Sequence, residues 1–151
     1  MIWRPGGIFL IERVSASPQE TLAFGEHIAG MLEPGSVIAL HGSLGSGKTC
    51  LAKGIARGLG ITETITSPTY TIICEYTDPV LLYHIDAYRL DGDEDFEQIG
   101  GPEFICGRGI SIIEWSERIP KSLPKDALVI SIEITGPQSR IIRVCGPEFL
   151  T

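Results

Sequence analysis

The densest chemical signal in the chain is Gly42-Ser43-Leu44-Gly45-Ser46-Gly47-Lys48-Thr49, a complete GxxxxGK[ST] pattern. Such a loop binds phosphate because glycines at 42, 45 and 47 let it curl until successive backbone N–H groups point inward. A helix starting near Lys48 adds the positive end of its dipole. Lys48 carries the charge for the β and γ phosphates, and Thr49 offers its hydroxyl to Mg²⁺. The flanks agree with this reading, since an apolar strand precedes the motif and a helix-forming run follows it. A mere glycine-rich turn has no such setting.

Phosphoryl chemistry also needs a carboxylate beside the metal, at the C-terminal end of a neighbouring strand. Leu81-Leu82-Tyr83-His84-Ile85-Asp86 ends in Asp86, and Ile110-Ser111-Ile112-Ile113-Glu114 ends in Glu114. Either acid alone could cap the turn after its strand. Two apolar strands that both end in an acid, downstream of such a loop, point to a pair sharing the metal and the attacking water. Sequence does not divide the roles between them.

The remaining polar candidates are weaker. Ser67-Pro68-Thr69-Tyr70 falls where a segment sensing the γ phosphate would sit, or is a plain loop fixed by Pro68. His84 reads as a strand residue packed beside the site rather than a catalytic base. His27 and His41 have no partner at catalytic or metal spacing. Trp115 and Tyr88 are packing residues or contacts for a nucleotide or a protein. Cys50, directly after Thr49, reads as a buried helix thiol, with a redox brake on nucleotide binding as the alternative.

These residues need a scaffold, and the composition supplies one. The chain has 151 residues, of which 45 are Leu, Ile, Val or Phe, enough for a core without staples. Isoleucine alone accounts for 22, a β-branched excess that favours buried strands. A net charge of −7 opposes unaided binding to nucleic acid or anionic membranes, though not to phosphate at one local site. The four cysteines lack CxxC or histidine-partnered spacing, so they read as reduced thiols and not as a zinc site. No apolar run reaches the ~18 residues of a membrane span, and the stretch from Ile8 to Ile11 is too short for a signal peptide, so a cytoplasmic location is expected.

Strands are expected over Phe9–Val14, Ser36–His41, Tyr70–Tyr76, Val80–Asp86 and Gly109–Glu114. A hairpin of Ala127–Thr135 and Ser139–Cys145 should turn at Gly136-Pro137. Ser17-Pro18-Gln19-Glu20 has the form of a capping box, opening a helix that places Leu22, Gly25, Ile28, Ala29 and Leu32 along one side before Pro34-Gly35 ends it. A second helix should run from Lys48 to Leu59, and the acidic stretch Asp91–Gln98 suggests a short third. Strand and helix alternate through the middle. The expected fold is therefore α/β, a mostly parallel sheet flanked by helices with antiparallel strands at the edges, in one domain over residues 1–151.

Taken together, GSLGSGKT, SPTY, HIDAYRL and IEWSER, in this order, resemble the TsaE (YjeE) family from about Thr21 to Arg140. The resemblance implies a P-loop ATPase fold, ATP with Mg²⁺, and slow hydrolysis in tRNA threonylcarbamoyladenosine biosynthesis. It implies TsaB and TsaD as protein partners and tRNA contact only through them. By position it implies Leu44, Gly45, Ser46, Gly47, Lys48 and Thr49 around the phosphates, with Thr49 and Glu114 on the metal. Asp86 would lie near the γ phosphate or the metal's waters, Thr69 in a nucleotide-sensing switch, Trp115 beside the site, and Arg140 at a basic position near the nucleotide. The chain departs from the family pattern at Ser43, Ser46 and Ala87; none of these removes a phosphate or metal group.

Two other classes share the loop. A small-molecule kinase usually adds an Arg-rich lid, and eight arginines scattered singly do not suggest one. A regulator that binds nucleotide without hydrolysis would not need two strand-end acids. No arginine finger is obvious; Arg89 is the nearest candidate.

Overall fold

In a computed structural model of the chain, residues 2–4, 8–66, 68 and 72–147 are described. Eight strands form one sheet. β1 (Ile2–Arg4) and β2 (Ile8–Ser15) open the chain, followed by α1 (Pro18–Ala29), β3 (Val37–Gly42) and α2 (Lys48–Gly58). Next come β4 (Ile73–Tyr76), β5 (Leu82–Asp86), α3 (Asp93–Gln98), α4 (Gly101–Ile105) and β6 (Ile110–Glu114). A 3₁₀ turn (Ser116–Arg118), β7 (Leu128–Ile134) and β8 (Arg140–Pro147) complete it. The strand order is β1-β2-β8-β7-β3-β6-β5-β4. The four central strands β7, β3, β6 and β5 run parallel, while β4 on one side and β8, β2 and β1 on the other are antiparallel. This is the expected α/β architecture.

Both faces of the sheet are covered, which is why β6 reads Ile-Ser-Ile-Ile rather than alternating apolar with polar. On one face α1 and α2 bury Phe24, Ile28, Leu51 and Ile55 against Ile38, Leu40, Ile112 and Ile130. On the other, Phe96, Ile105 and Ile119 close over Val37, Ile85 and Ile113. Neighbours in sequence thus go to opposite cores, Ile112 to the first and Ile113 to the second, as period-2 alternation requires. Each fully buried isoleucine stabilises the fold by roughly 1.5–3 kcal/mol over an exposed one.

Helix α1 starts at its expected cap, with the return bond shifted one residue, from Ser17 to Ala16. The backbone N–H of Glu20 donates to the Ser17 hydroxyl at 3.1 Å, and the N–H of Ala16 donates to the Glu20 carboxylate at 2.6 Å. It ends at Ala29 with Gly30 as cap, before Pro34-Gly35, and it buries Phe24 together with Gly25 and Ile28. Gly25 lets it approach α2 closely: a Cβ there would lie 2.6 Å from the Leu51 carbonyl oxygen. Gly54 of α2 faces it in the same way, its Cβ direction blocked by the Leu22 carbonyl. Helix α2 ends at Gly58, and Gly60 beyond it has φ +87°.

Four strands are shorter than expected, β7 by one residue at each end. β4 begins at Ile73 because Ile72 takes φ +67°, outside the extended region. β5 begins at Leu82, past the turn at Asp78-Pro79, and β6 at Ile110. β1, α4 and the 3₁₀ turn carry too few residues to show a period, and α4 rests on Phe96, whose ring fills the space a side chain at Gly101 would need.

Candidate functional site

Register brings the acids together. Parallel pairing of β5 with β6 sets His84 beside Ile112 and Asp86 beside Glu114. Because Ile112 faces the helices α1 and α2, its same-parity neighbours Glu114, His84 and Asp86 face that side too. β3 lies on the other side of β6, with Leu40 paired to Glu114, and it delivers the loop 42–47 to the same edge. The strand-end acids and the loop therefore meet where α2 begins.

The loop is held open by left-handed backbone at Gly45 (φ +78°) and Gly47 (φ +107°), conformations a side chain would strain. Lys48 heads α2, and its Nζ donates back to the carbonyls of Gly42 (2.6 Å) and Ser43 (3.1 Å). The same ammonium stands 4.0 Å from the centre of the Trp115 ring. Burial lowers the Lys48 pKa from its ordinary value, against the opposing pull of Glu114, Glu117 and Asp86.

Glu114 is the hub of the site. The Thr49 hydroxyl donates to its Oε1 at 3.1 Å and its Oε2 at 3.3 Å, and Nε2 of His84 lies 2.5 Å from Oε2. Glu114 and His84 are both buried, at 3% and 0% exposure. A buried carboxylate needs such donors, and as it only accepts, the hydrogen belongs on His84 Nε2. Asp86 is buried close by and accepts from the Tyr88 N–H at 2.9 Å.

A cleft of about 380 Å³ opens over these groups, lined by Leu44 to Cys50, Asp86, Tyr88, Glu114 and Trp115. Trp115 takes φ +57°, a left-handed conformation unusual for a bulky residue, and its ring packs 5.0 Å from that of Tyr88. Arg118 lies over the outer face of Tyr88, 5.2 Å from its centre. Leu44, at 83% exposure, forms the tip of the loop. A second cleft of about 210 Å³ lies around Gly45, Ser46, Gly47 and Cys50, walled by Pro18 and Thr21 of α1 and by Pro137, Gln138 and Arg140. The buried Ser46 Oγ has no hydrogen-bond partner among the described residues.

Of the residues expected in the site, Leu44, Gly45, Ser46, Gly47, Lys48, Thr49, Asp86, Glu114 and Trp115 line the main cleft. Gly42 contributes its carbonyl to Lys48, and Arg140 borders the second cleft. Ser67, Thr69 and Tyr70 lie outside the described residues. Arg89 is exposed and does not line the cleft. Sequence reasoning missed the contact of His84 with Glu114; the signal available was its position two residues before Asp86, on the same face of the strand. Cys50, expected as a buried helix thiol, is instead half-buried and lines the main cleft, as does Tyr88, whose role the sequence left open.

The oxygen-only donor set of Thr49, Glu114 and Asp86 suits a hard cation that keeps most of its ligands from phosphate and water. Among the described residues, no three of His, Cys, Asp or Glu form a metal cage. No helix among them is long and apolar enough to cross a membrane.

An α/β sheet of this order with a glycine-rich loop between β3 and α2 defines the P-loop class of folds. Residues 15–142 match the family model described as threonylcarbamoyl adenosine biosynthesis protein TsaE. The tRNA threonylcarbamoyladenosine biosynthesis protein TsaE of Treponema pallidum is 46% identical over 131 residues, covering 87% of this chain and 97% of that protein. The protein of the same description from Bacillus subtilis is 43% identical over 129 residues, covering 85% and 80%. The crystal structure of Bacillus subtilis YdiB superposes with a TM-score of 0.80 at 35% identity, covering 95% of this chain and 92% of that one. The chain belongs to the TsaE family, which works in tRNA threonylcarbamoyladenosine biosynthesis.

Proposed function

We propose that this protein is a Mg²⁺-dependent ATPase subunit of the tRNA threonylcarbamoyladenosine machinery, active in the cytoplasm with TsaB and TsaD and reaching tRNA through them. The observation that carries the reading is the meeting of Thr49 with Glu114 at 3.1 Å beside a glycine-rich loop and its lysine. A hydroxyl and a carboxylate so placed are the protein's share of a magnesium site in phosphoryl transfer. The orphaned Ser46 hydroxyl and the inward-facing loop supply further polar groups for the phosphates.

In this reading the triphosphate lies along the loop in the main cleft, and the nucleoside passes Cys50 toward the second. Lys48 leaves the carbonyls of Gly42 and Ser43 and takes the β and γ phosphates, where its charge counts most as the phosphoryl group moves. Thr49 and Glu114 hold Mg²⁺, which when bound neutralises charge on the β and γ oxygens. Asp86, adjacent in register to Glu114, orients the attacking water for in-line displacement. Trp115 and Tyr88 keep bulk water from the lysine side. Turnover by the chain alone is slow, because among the described residues no arginine lines the main cleft.

The test is ATP binding and hydrolysis by the wild type and by Lys48→Ala. Loss of both in a variant that keeps its circular dichroism spectrum supports the reading; unchanged hydrolysis removes it.

A further inference from the structure

The guanidinium of Arg140 points at the P-loop from outside the main cleft. Its Nε donates to the Ser46 carbonyl at 2.9 Å and its NH2 to the Gly45 carbonyl at 3.2 Å. The other arm, NH1, donates to the carbonyls of Gly136 (3.0 Å) and Ser139 (2.8 Å) in the β7–β8 turn. One side chain thus ties two successive peptide units of the loop to a hairpin. The stem is equally fixed, because Arg140 sits in register between Ser15 of β2 and Ile134 of β7. Among the described residues it has no carboxylate at ion-pair distance, so its charge stays uncompensated behind the loop.

The consequence follows from peptide geometry. In a trans unit the C=O and the following N–H point in opposite directions. Fixing the carbonyls of Gly45 and Ser46 toward Arg140 therefore turns the N–H groups of Ser46 and Gly47 away from it. Gly45 and Gly47 are the positions where the backbone is freest to flip, and no neighbour lies within 4 Å of where their Cβ atoms would be. The Gly45–Ser46 unit has one other tie, its N–H donating to the Ser43 carbonyl at 3.1 Å, while the Ser46 carbonyl is held by the guanidinium.

We propose that Arg140 is a positioning residue that presets the P-loop for phosphate by gripping its carbonyls from behind, instead of contacting the nucleotide itself. The proposal rests on the reading that this loop binds phosphate. The planar fork matters as much as the charge, since a lysine has one donor centre and cannot span both peptide units and the hairpin.

The test uses the full nucleotide-free chain and its Arg140→Ala and Arg140→Lys variants. Backbone ¹⁵N order parameters at Gly45, Ser46 and Gly47 are expected near the rigid value of about 0.85 in the wild type and below about 0.6 in both variants. Affinities for MgADP and for Mg-tripolyphosphate should fall together, by about 10-fold or more, with Arg140→Lys staying nearer to Arg140→Ala than to the wild type. Unchanged order parameters, or a loss confined to MgADP, overturns the proposal, the second outcome marking a nucleoside contact. A wild type that binds neither ligand removes the phosphate reading, and with it the proposal, even where the variants loosen the loop.

Discussion

Thr49 and Glu114, 65 residues apart in sequence, meet through a hydroxyl that donates 3.1 Å to the carboxylate. Neither residue is placed by the other. Thr49 sits in the first turn of α2, and Glu114 ends a strand whose register is fixed by β3 on one side and β5 on the other. The contact is therefore preformed, and in the proposed reading it puts Glu114 on the metal side of the site, with His84 completing its hydrogen bonds.

Replacing that carboxylate by its amide separates binding from chemistry. Glu114→Gln keeps shape and a hydrogen-bond partner for Thr49 but loses the charge, so hydrolysis should fall by about 100-fold or more. ADP in the absence of Mg²⁺ should bind within a few-fold of the wild type. Single-turnover hydrolysis and calorimetric titration measure the two; equal loss in both would contradict the assignment.

Lys48 makes a prediction about stability and its sign with pH. Burial lowers its pKa, so the folded protein binds this proton less tightly than the unfolded chain does. Its burial then costs stability at every pH below its folded value, and the cost fades as pH rises from there toward 10.5. Lys48→Met, which fits the same stem, should melt no lower than the wild type at pH 7.5, and the gap should close in alkali. Thermal melts between pH 7 and 10 check this; a variant that melts lower at neutral pH would show that the lysine's bonds outweigh its desolvation.

The crossing of α1 and α2 is set by Gly25, Gly54 and Gly58, and the sign of one substitution reports it. In an open helix Gly→Ala stabilises by roughly 0.5–1 kcal/mol. At Gly54 the new methyl would meet the Leu22 carbonyl, so Gly54→Ala should instead destabilise by about 1–3 kcal/mol. Urea unfolding gives the number, and a stabilised variant would mean the helices part without cost.

How far the sequence carried this picture depends on the range of each signal. The P-loop and the two strand-end acids were legible because each is a local pattern: a turn that needs glycine, or an apolar run closed by a carboxylate. Their pairing as register neighbours, Asp86 with Glu114, came from the structure, because parallel orientation alone fixes neither adjacency nor register. The His84–Glu114 bond was not read either, since it depends on the same register. Trp115 at φ +57° had no sequence signal either, because only its surroundings hold it there. Arg140 was placed near the nucleotide only by the family resemblance, and its direction of approach, from behind the loop, needed the hairpin's exact placement.

The most direct test of the account is steady-state ATP hydrolysis by the purified chain, alone and with TsaB and TsaD added, beside Lys48→Met under the same conditions. Slow turnover alone, a clear change in rate with the partners, and none from the variant are expected. Hydrolysis that the variant retains, or a wild type silent with and without partners, would contradict it.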